Sequence, residues 1–60
     1  MNFTLNIELG NDAMKTGVDL SEALKLVAFR ASALPEVEPG DFGWIYDENG
    51  NKVGKWEVAA

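Results

Sequence analysis

The chain has 60 residues and contains neither cysteine nor histidine, so packing alone must hold its fold together. A chain of this length has room for one domain and buries only about 60% of the surface that its unfolded form exposes. Disulfides and most protein zinc sites need the two residue types that are missing here. We therefore expect a single domain over residues 1–60, with a small core, no metal site and no cofactor.

The first segment alternates between polar and apolar residues with a period of two, from Asn2 to Leu9. The apolar members are Phe3, Leu5, Ile7 and Leu9, and the polar ones are Asn2, Thr4, Asn6 and Glu8. This alternation predicts a β-strand with one buried face and one face in solvent. Gly10-Asn11-Asp12 ends the strand, and we expect Ala13 and Met14 to cover one end of the core.

A helix is predicted from about Val18 to Leu34, followed by Pro35. Its apolar positions form one stripe, made of Leu20, Leu24, Val27, Ala31 and Leu34 and widened by Ala23 and Ala28. Two helix starts compete. Thr16 is one possible cap, with Asp19 three residues later, and Asp19 itself is the other, with Glu22 three residues later.

The C-terminal third predicts a hairpin with strands Phe42–Tyr46 and Lys52–Val58. The intervening Asp47–Asn51 segment has only a faint likeness to a calcium loop and lacks its spacing, so a hairpin turn is expected. The order β-α-β-β predicts a two-layer α+β domain, with one helix packed on a three-stranded sheet. We expect an antiparallel sheet with the last strand in the middle. Parallel pairing of the first strand with the second is the alternative.

The register of this hairpin decides which aromatic residues are buried. A two-residue Asn49-Gly50 turn would pair Trp44 with Lys55 and expose the aromatic residues of the strand before it. A three-residue Glu48–Gly50 loop, with a left-handed last residue, pairs Trp44 with Gly54 instead. We favour the second register because it buries the large rings, and Gly54 would then make room for Trp44.

Acidic residues outnumber basic ones by ten to five, and the net charge of −5 is unevenly distributed. Residues 1–30 hold four acids and three bases, whereas residues 31–60 hold six acids and two bases. The six are Glu36, Glu38, Asp41, Asp47, Glu48 and Glu57. This balance argues against direct binding of nucleic acid, which needs clustered Lys and Arg. It favours an acidic body that occupies a basic surface of another protein, although acidity also serves solubility.

Two large apolar residues fall on the helix face opposite the predicted stripe. With Leu20 placed at 0°, Phe29 lies near 180° and Leu26 near 240°, at about 100° per residue. Large apolar groups on an outer face often mark an interface. We expect this face to dock on a partner or on a second copy of the chain. The alternative is that Met14, Val37 or the connection between helix and hairpin folds over Phe29.

The sequence offers little for catalysis. Without His or Cys, an enzyme would depend on carboxylates, lysines, Tyr46 or hydroxyls, and a domain this small rarely encloses a pocket of about 300 Å³. Asp41 and Asp47 bracket one strand and are expected to be solvated turn carboxylates. We therefore predict a protein that is not an enzyme.

No stretch of the chain approaches the roughly 20 apolar residues needed to cross a bilayer. Its first residues, Met1-Asn2-Phe3-Thr4, lack the basic region and apolar core of a signal peptide. We therefore expect a soluble protein of the cytoplasm, with no membrane partner.

A recognisable pattern extends over three runs of the sequence, each supplying one part of it: FTLNIELGNDAM, DLSEALKLVAFRASAL and GWIYDENGNKVGKWEV. It consists of a strand ending in LGN-x-AM, an Ala/Leu-rich helix, and a hairpin carrying D-x-NGN-x-VG-x-W/Y-x-V/I. The matching positions are Leu9-Gly10-Asn11, Ala13-Met14, Asp47, Asn49-Gly50-Asn51, Val53-Gly54, Trp56 and Val58. Over nearly its whole length the chain therefore resembles a family of small phage, prophage and plasmid proteins.

This resemblance implies a role but transfers no site residue. Some similarly small, acidic proteins of mobile elements are anti-CRISPR or anti-restriction inhibitors. The chain departs from the family pattern at Leu26 and Phe29, where such helices more often carry charge, and the departure favours a specific apolar contact.

Together, the charge pattern and the resemblance predict an inhibitor from a phage or other mobile element, to be expected in the cytoplasm of the host bacterium. It would block the DNA-binding surface of a host defence complex by acidic mimicry, with a type I CRISPR surveillance complex as the leading candidate. The six acidic residues of the second half would supply the charge, and Leu26 and Phe29 an anchor. The alternative is a small homodimeric accessory module of a mobile element with no inhibitory role.

Overall fold

The computed structural model describes all 60 residues and places one helix on a three-stranded antiparallel sheet. β1 spans Asn2–Ile7, α1 spans Gly17–Ala31, β2 spans Phe42–Tyr46 and β3 spans Lys52–Ala59. The strand order is β1-β3-β2. This confirms the predicted α+β class and the central position of the last strand, and the parallel alternative is wrong. The single helix lacks the length and apolar character needed to cross a membrane.

The helix begins with the first of the two predicted caps. The Thr16 hydroxyl accepts a hydrogen bond from the Asp19 main-chain N–H at 3.1 Å, and the Asp19 carboxylate accepts one from the Thr16 N–H, also at 3.1 Å. This reciprocal pair is a capping box, so a cap at Asp19 is wrong. The helix ends at Ala31, three residues before the predicted end. Beyond it the chain tightens into a turn in which Leu34 N–H donates to the Ala31 carbonyl.

Seven apolar residues form the core: Met14, Ala23, Val27, Ile45, Val53, Trp56 and Val58. Met14 is the most deeply buried of them, so its expected place over the core is confirmed. The helix contributes only Ala23 and Val27. Leu24 and Ala28 are exposed, contrary to prediction. Because α1 packs mainly against β2, the sheet covers a narrower strip of the helix than the sequence pattern suggested.

The first strand presents its apolar residues to the expected face, but that face is only partly covered. Leu5 pairs with Trp56, and the Phe3 ring stacks on the Trp56 ring with centroids 5.6 Å apart. Phe3 is nevertheless 51% exposed and Leu9 64%, and Leu9 lies beyond the end of the strand. The face predicted to be buried is therefore only partly buried, because α1 packs mainly against the opposite edge strand.

The hairpin has the predicted three-residue loop, but its strands pair in the register that we did not favour. Asp47 N–H donates to the Asn51 carbonyl, and Gly50 has a φ of +81°, as a three-residue Glu48–Gly50 loop requires. A bulge between Ile45 and Tyr46 then shifts the pairing by one residue. Trp44 consequently pairs with Lys55 instead of Gly54.

This shift decides which side chains of the hairpin are buried and which are exposed. Phe42, Trp44 and Tyr46 lie on the outer face of the sheet and stay half-exposed, while Ile45 is buried. The extra residue of the bulge is Val53, which is also buried. Gly54 does not make room for Trp44, because a Cβ there would strike the Asn6 main chain of β1.

Candidate functional site

The six acidic residues singled out from the sequence lie at opposite ends of β2. Glu36, Glu38 and Asp41 precede the strand, and Glu57 pairs with its first residue; we call these four the connection-end group. Asp47 and Glu48 lie in the hairpin turn at the other end. The structure therefore brings the six into two groups separated by the length of one strand, about 17 Å for five residues.

Within the connection-end group, Asp41 holds the turn together. Its carboxylate accepts a hydrogen bond from the Glu38 N–H at 2.9 Å, and its carbonyl accepts one from the Val58 N–H at 2.8 Å. The Glu36 and Glu38 side chains are exposed. Glu57 is also exposed, and its carboxylate lies 3.3 Å from Lys55 Nζ. Charge on Glu36 and Glu38 is thus the part of this group most available to a partner.

Asp47 is the one buried charged residue, which contradicts its expected place as a solvated turn carboxylate. Its Oδ1 accepts hydrogen bonds from the N–H groups of Asn49 and Asn51, each at 2.9 Å, and its Oδ2 accepts one from Asn51 Nδ2 at 3.2 Å. Burial alone would raise the pKa of Asp47, but these donors and the Asn11 side chain outweigh it and lower the pKa. The Asp47 carboxylate therefore stabilises the turn and is less available to a partner than an exposed carboxylate.

Asp47 and Glu48 form the second group, the hairpin-end group, and the structure adds two further acids to it that sequence reasoning did not single out. Asp19 and Glu22 of α1 join Asp47 and Glu48 around one depression of about 70 Å³, with Leu26 and Tyr46 in its wall. The sequence pattern indicates a role for Asp19 only at the helix start, and for Glu22 only in the second possible helix cap. One signal was present in the sequence, because Glu22 precedes Leu26 by four residues and therefore shares its helix face.

The apolar helix face is open to solvent. Phe29 is 76% exposed and Leu26 is 55% exposed. The alternative that Met14 or Val37 covers Phe29 is wrong, because Met14 is in the core and Val37 is itself half-exposed. Leu26 also lines a second depression of about 90 Å³ between α1 and β2. It therefore connects the exposed Phe29 to the acidic hairpin end.

The larger clefts do not gather catalytic groups. Two clefts of about 360 Å³ occur on the surface, and both are open to solvent and not enclosed. The first contains one carboxylate, Glu8, beside Lys52 and Lys55, and the second contains Lys25 and no carboxylate. Carboxylates converge only in the hairpin-end depression, which is far smaller than a typical ligand pocket of about 300 Å³ or more. No three acidic side chains are arranged to hold a metal ion.

The outer face of the hairpin combines aromatic rings with lysines. Lys52 Nζ lies 4.0 Å from the Trp44 ring centroid, and Lys55 Nζ lies 5.1 Å from that of Phe42. These are cation–π distances, so the rings already have intramolecular partners.

Comparison with known proteins does not extend this description: no protein-family model matches the chain, no curated protein matches its sequence, and no solved structure matches its fold.

Proposed function

We propose that this chain is a non-enzymatic inhibitor encoded by a phage or other mobile element. It binds a basic, nucleic-acid-binding surface of a host defence complex in the cytoplasm and excludes DNA from it. A type I CRISPR surveillance complex is the first candidate target. The resemblance to small acidic proteins of mobile elements supports the choice of target class.

The observation that carries the proposal is the position of Leu26. This half-exposed leucine lines one depression with four acidic residues, Asp19, Glu22, Asp47 and Glu48. The carboxylates of Asp19 and Asp47 accept hydrogen bonds in the helix cap and the turn, so the exposed Glu22 and Glu48 are the two most available to a partner. Acidic groups around an apolar anchor suit a partner surface that is basic and also offers an apolar contact. Phe29, one helical turn further on, extends the apolar contact.

Long-range electrostatics support the same target. The net charge of −5 on a chain with a radius of gyration of 11.9 Å attracts a basic surface and repels nucleic acid. The two acidic groups flank β2, so one contact surface can carry charge at both ends of that strand. Complementary charge of this kind raises the rate of association more than the final affinity.

The test is a DNA-binding assay of a purified type I surveillance complex, with and without the protein. We expect the protein to lower the fraction of bound target DNA with a stoichiometric endpoint. Two charge-reversal variants then locate the contact. Glu22→Lys with Glu48→Lys changes the hairpin end, and Glu36→Lys with Glu38→Lys changes the connection end by the same net charge.

If the hairpin end is the main contact, its double variant loses inhibition while the connection-end variant keeps most of it. All four side chains are exposed, so both variants should remain folded. Equal, modest losses in the two variants would assign the effect to overall charge. Undiminished inhibition in both would rule out acidic mimicry.

Self-association is the second candidate role, and the exposure of Phe29 is the observation that favours it. A homodimeric accessory module would bury Phe29 and Leu26 against a second copy. Sedimentation velocity between micromolar and millimolar concentrations distinguishes the two roles. A dimer that Phe29→Ser converts to a monomer supports the accessory module, whereas a monomer throughout this range contradicts it.

A further inference from the structure

We propose that the free edge of β2 is where the partner engages this chain, by adding an extended basic segment as a fourth strand. The inference rests on the proposed function and specifies its binding mode. β2 is an edge strand, bonded to β3 on one side only. An unpaired strand edge is a template for another strand, and proteins use it to recognise extended peptides.

The main chain of β2 has hydrogen-bonding groups to offer. Val58 N–H donates to the Asp41 carbonyl, so Asp41 faces β3. Because an antiparallel ladder uses alternate residues, the main chains of Phe42 and Trp44 then face the free edge. No hydrogen bond from a turn or loop reaches either residue. Each therefore presents one N–H donor and one carbonyl acceptor to an incoming strand.

A groove runs beside this edge, and one of the residues that line it has an unsatisfied donor. The depression of about 90 Å³ between α1 and β2 is lined by Leu26, Val27 and Trp56 among others. The Trp56 indole N–H is buried and has no acceptor, and leaving such a donor unpaired destabilises the folded chain. An added strand would send alternate side chains over the groove and could bring an acceptor to the indole.

Charge decides between a partner segment and a second copy. The two acidic groups flank β2. The basic residues beside the strand are fewer: Arg30 lines the groove, and Lys52 and Lys55 lie over the Trp44 and Phe42 rings on the outer face. Antiparallel pairing of two β2 edges would place the connection end of one copy against the hairpin end of the other, acids against acids. Neither β1 nor β2 contains a charged residue, but β1 is followed directly by one acid, Glu8, whereas β2 has several acids at each end. The flanking charges therefore select a basic occupant for β2.

The experiment is a titration of the ¹⁵N-labelled protein with the peptide acetyl-Lys-Val-Lys-Val-Lys-Val-Lys-amide, followed by amide chemical shifts. We expect the largest changes at the N–H groups of Phe42 and Trp44 and at the Trp56 indole N–H. Changes centred on β1 would overturn the proposal. So would equal affinity for the matched peptide with Glu in place of Lys, or concentration-dependent shifts of Phe42 and Trp44 without peptide, which would make a second copy the occupant.

A pair of variants isolates the main-chain contact. Trp44→Ala and Trp44→Pro both remove the indole, but only proline also removes the outward N–H, and edge strands tolerate proline there. We expect Trp44→Ala to bind the peptide within about threefold of the parent and Trp44→Pro to bind at least about tenfold more weakly. Equal affinity of the two variants would overturn the proposal. If Trp44→Pro fails to fold, a peptide N-methylated at alternate residues gives the same test on the unchanged protein.

The two proposals fail separately. Peptide binding at β2 without any effect on a defence complex would contradict the proposed function and leave the edge site standing. Inhibition by Trp44→Pro as strong as that by Trp44→Ala would contradict the edge site and leave the proposed function standing.

Discussion

The indole of Trp56 lies directly against Gly43 of the neighbouring strand, and no larger residue fits at that position. A Cβ added to Gly43 would fall 2.6 Å from Cε2 and 2.8 Å from Cζ2 of Trp56, and closer still to Nε1. The two residues are also ladder partners. The largest core ring is thus accommodated by the absence of a side chain on β2.

Replacing Gly43 with alanine should therefore destabilise the protein. Either the indole or β2 must move, and overpacking of this kind costs about 1–3 kcal/mol. A core this small supplies about 3–5 kcal/mol in total, so much of the stability would be lost. The measurement is the urea midpoint followed by tryptophan fluorescence. Gly17→Ala is the control, because a Cβ there meets nothing within 4 Å, and its midpoint should stay the same or rise slightly.

Much of the fold was predictable because local patterns and tertiary packing agree. The strand alternation and the Gly50 loop follow from short-range geometry, and the structure contains both. Short-range geometry also narrowed the helix start to two residues, of which the structure uses Thr16. The hairpin register was not predictable in the same way. The loop alone implies Trp44 opposite Gly54, and only the tertiary fit of Trp56 under Gly43 explains why a bulge overrides it.

The candidate site was predictable in its residue types but not in its grouping. Exposure of Leu26 and Phe29 followed from helical periodicity, which depends only on the sequence. Asp19 and Glu22 lie beside the hairpin turn because of the way α1 crosses β2. No local sequence pattern specifies that placement of the helix. The lowered pKa of Asp47 likewise depends in part on the side chain of Asn11, a residue 36 positions earlier in the chain.

Removing the helix cap should cost about 1 kcal/mol of stability. Thr16→Ala leaves the Asp19 N–H without the hydroxyl that it donates to at 3.1 Å. Thr16→Ser keeps a hydroxyl at the same place and should retain most of the stability. Urea unfolding followed by far-ultraviolet circular dichroism measures both variants. If the alanine and serine variants have the same midpoint, the capping box contributes nothing measurable.

The stability of this protein should fall in acid, and Asp47 should account for part of the fall. Its hydrogen bonds place the pKa below the ordinary value of 3.8. A carboxylate with a depressed folded-state pKa contributes stability that is complete above its unfolded-state pKa. That contribution is lost as the pH falls through the folded-state pKa. The same direction holds for Asp19, whose pKa the Lys15 and Thr16 N–H groups lower.

Asp47→Asn is the variant that checks this pH dependence. The difference in urea midpoint between the parent and Asp47→Asn should be largest near pH 6 and should shrink below pH 4. Glu48→Gln is the matched control in the same turn, because Glu48 is exposed and accepts no hydrogen bond. That variant should keep the pH dependence of the parent. A pH-independent difference for Asp47→Asn would show that its effect is not electrostatic.

Phe29 should be expendable for folding and needed for binding. Its side chain is 76% exposed, so Phe29→Ser should change the free energy of unfolding by less than about 0.5 kcal/mol. Val27, two residues earlier, is in the core, and Val27→Ala should cost about 2 kcal/mol through lost burial and a residual cavity. Two measurements on each variant separate the role in folding from the role in binding. Urea unfolding gives the stability, and displacement of DNA from a surveillance complex gives the inhibition. A folded Phe29→Ser variant that inhibits as well as the parent would remove Phe29 from the contact surface, while a strongly destabilised one would place it in the core.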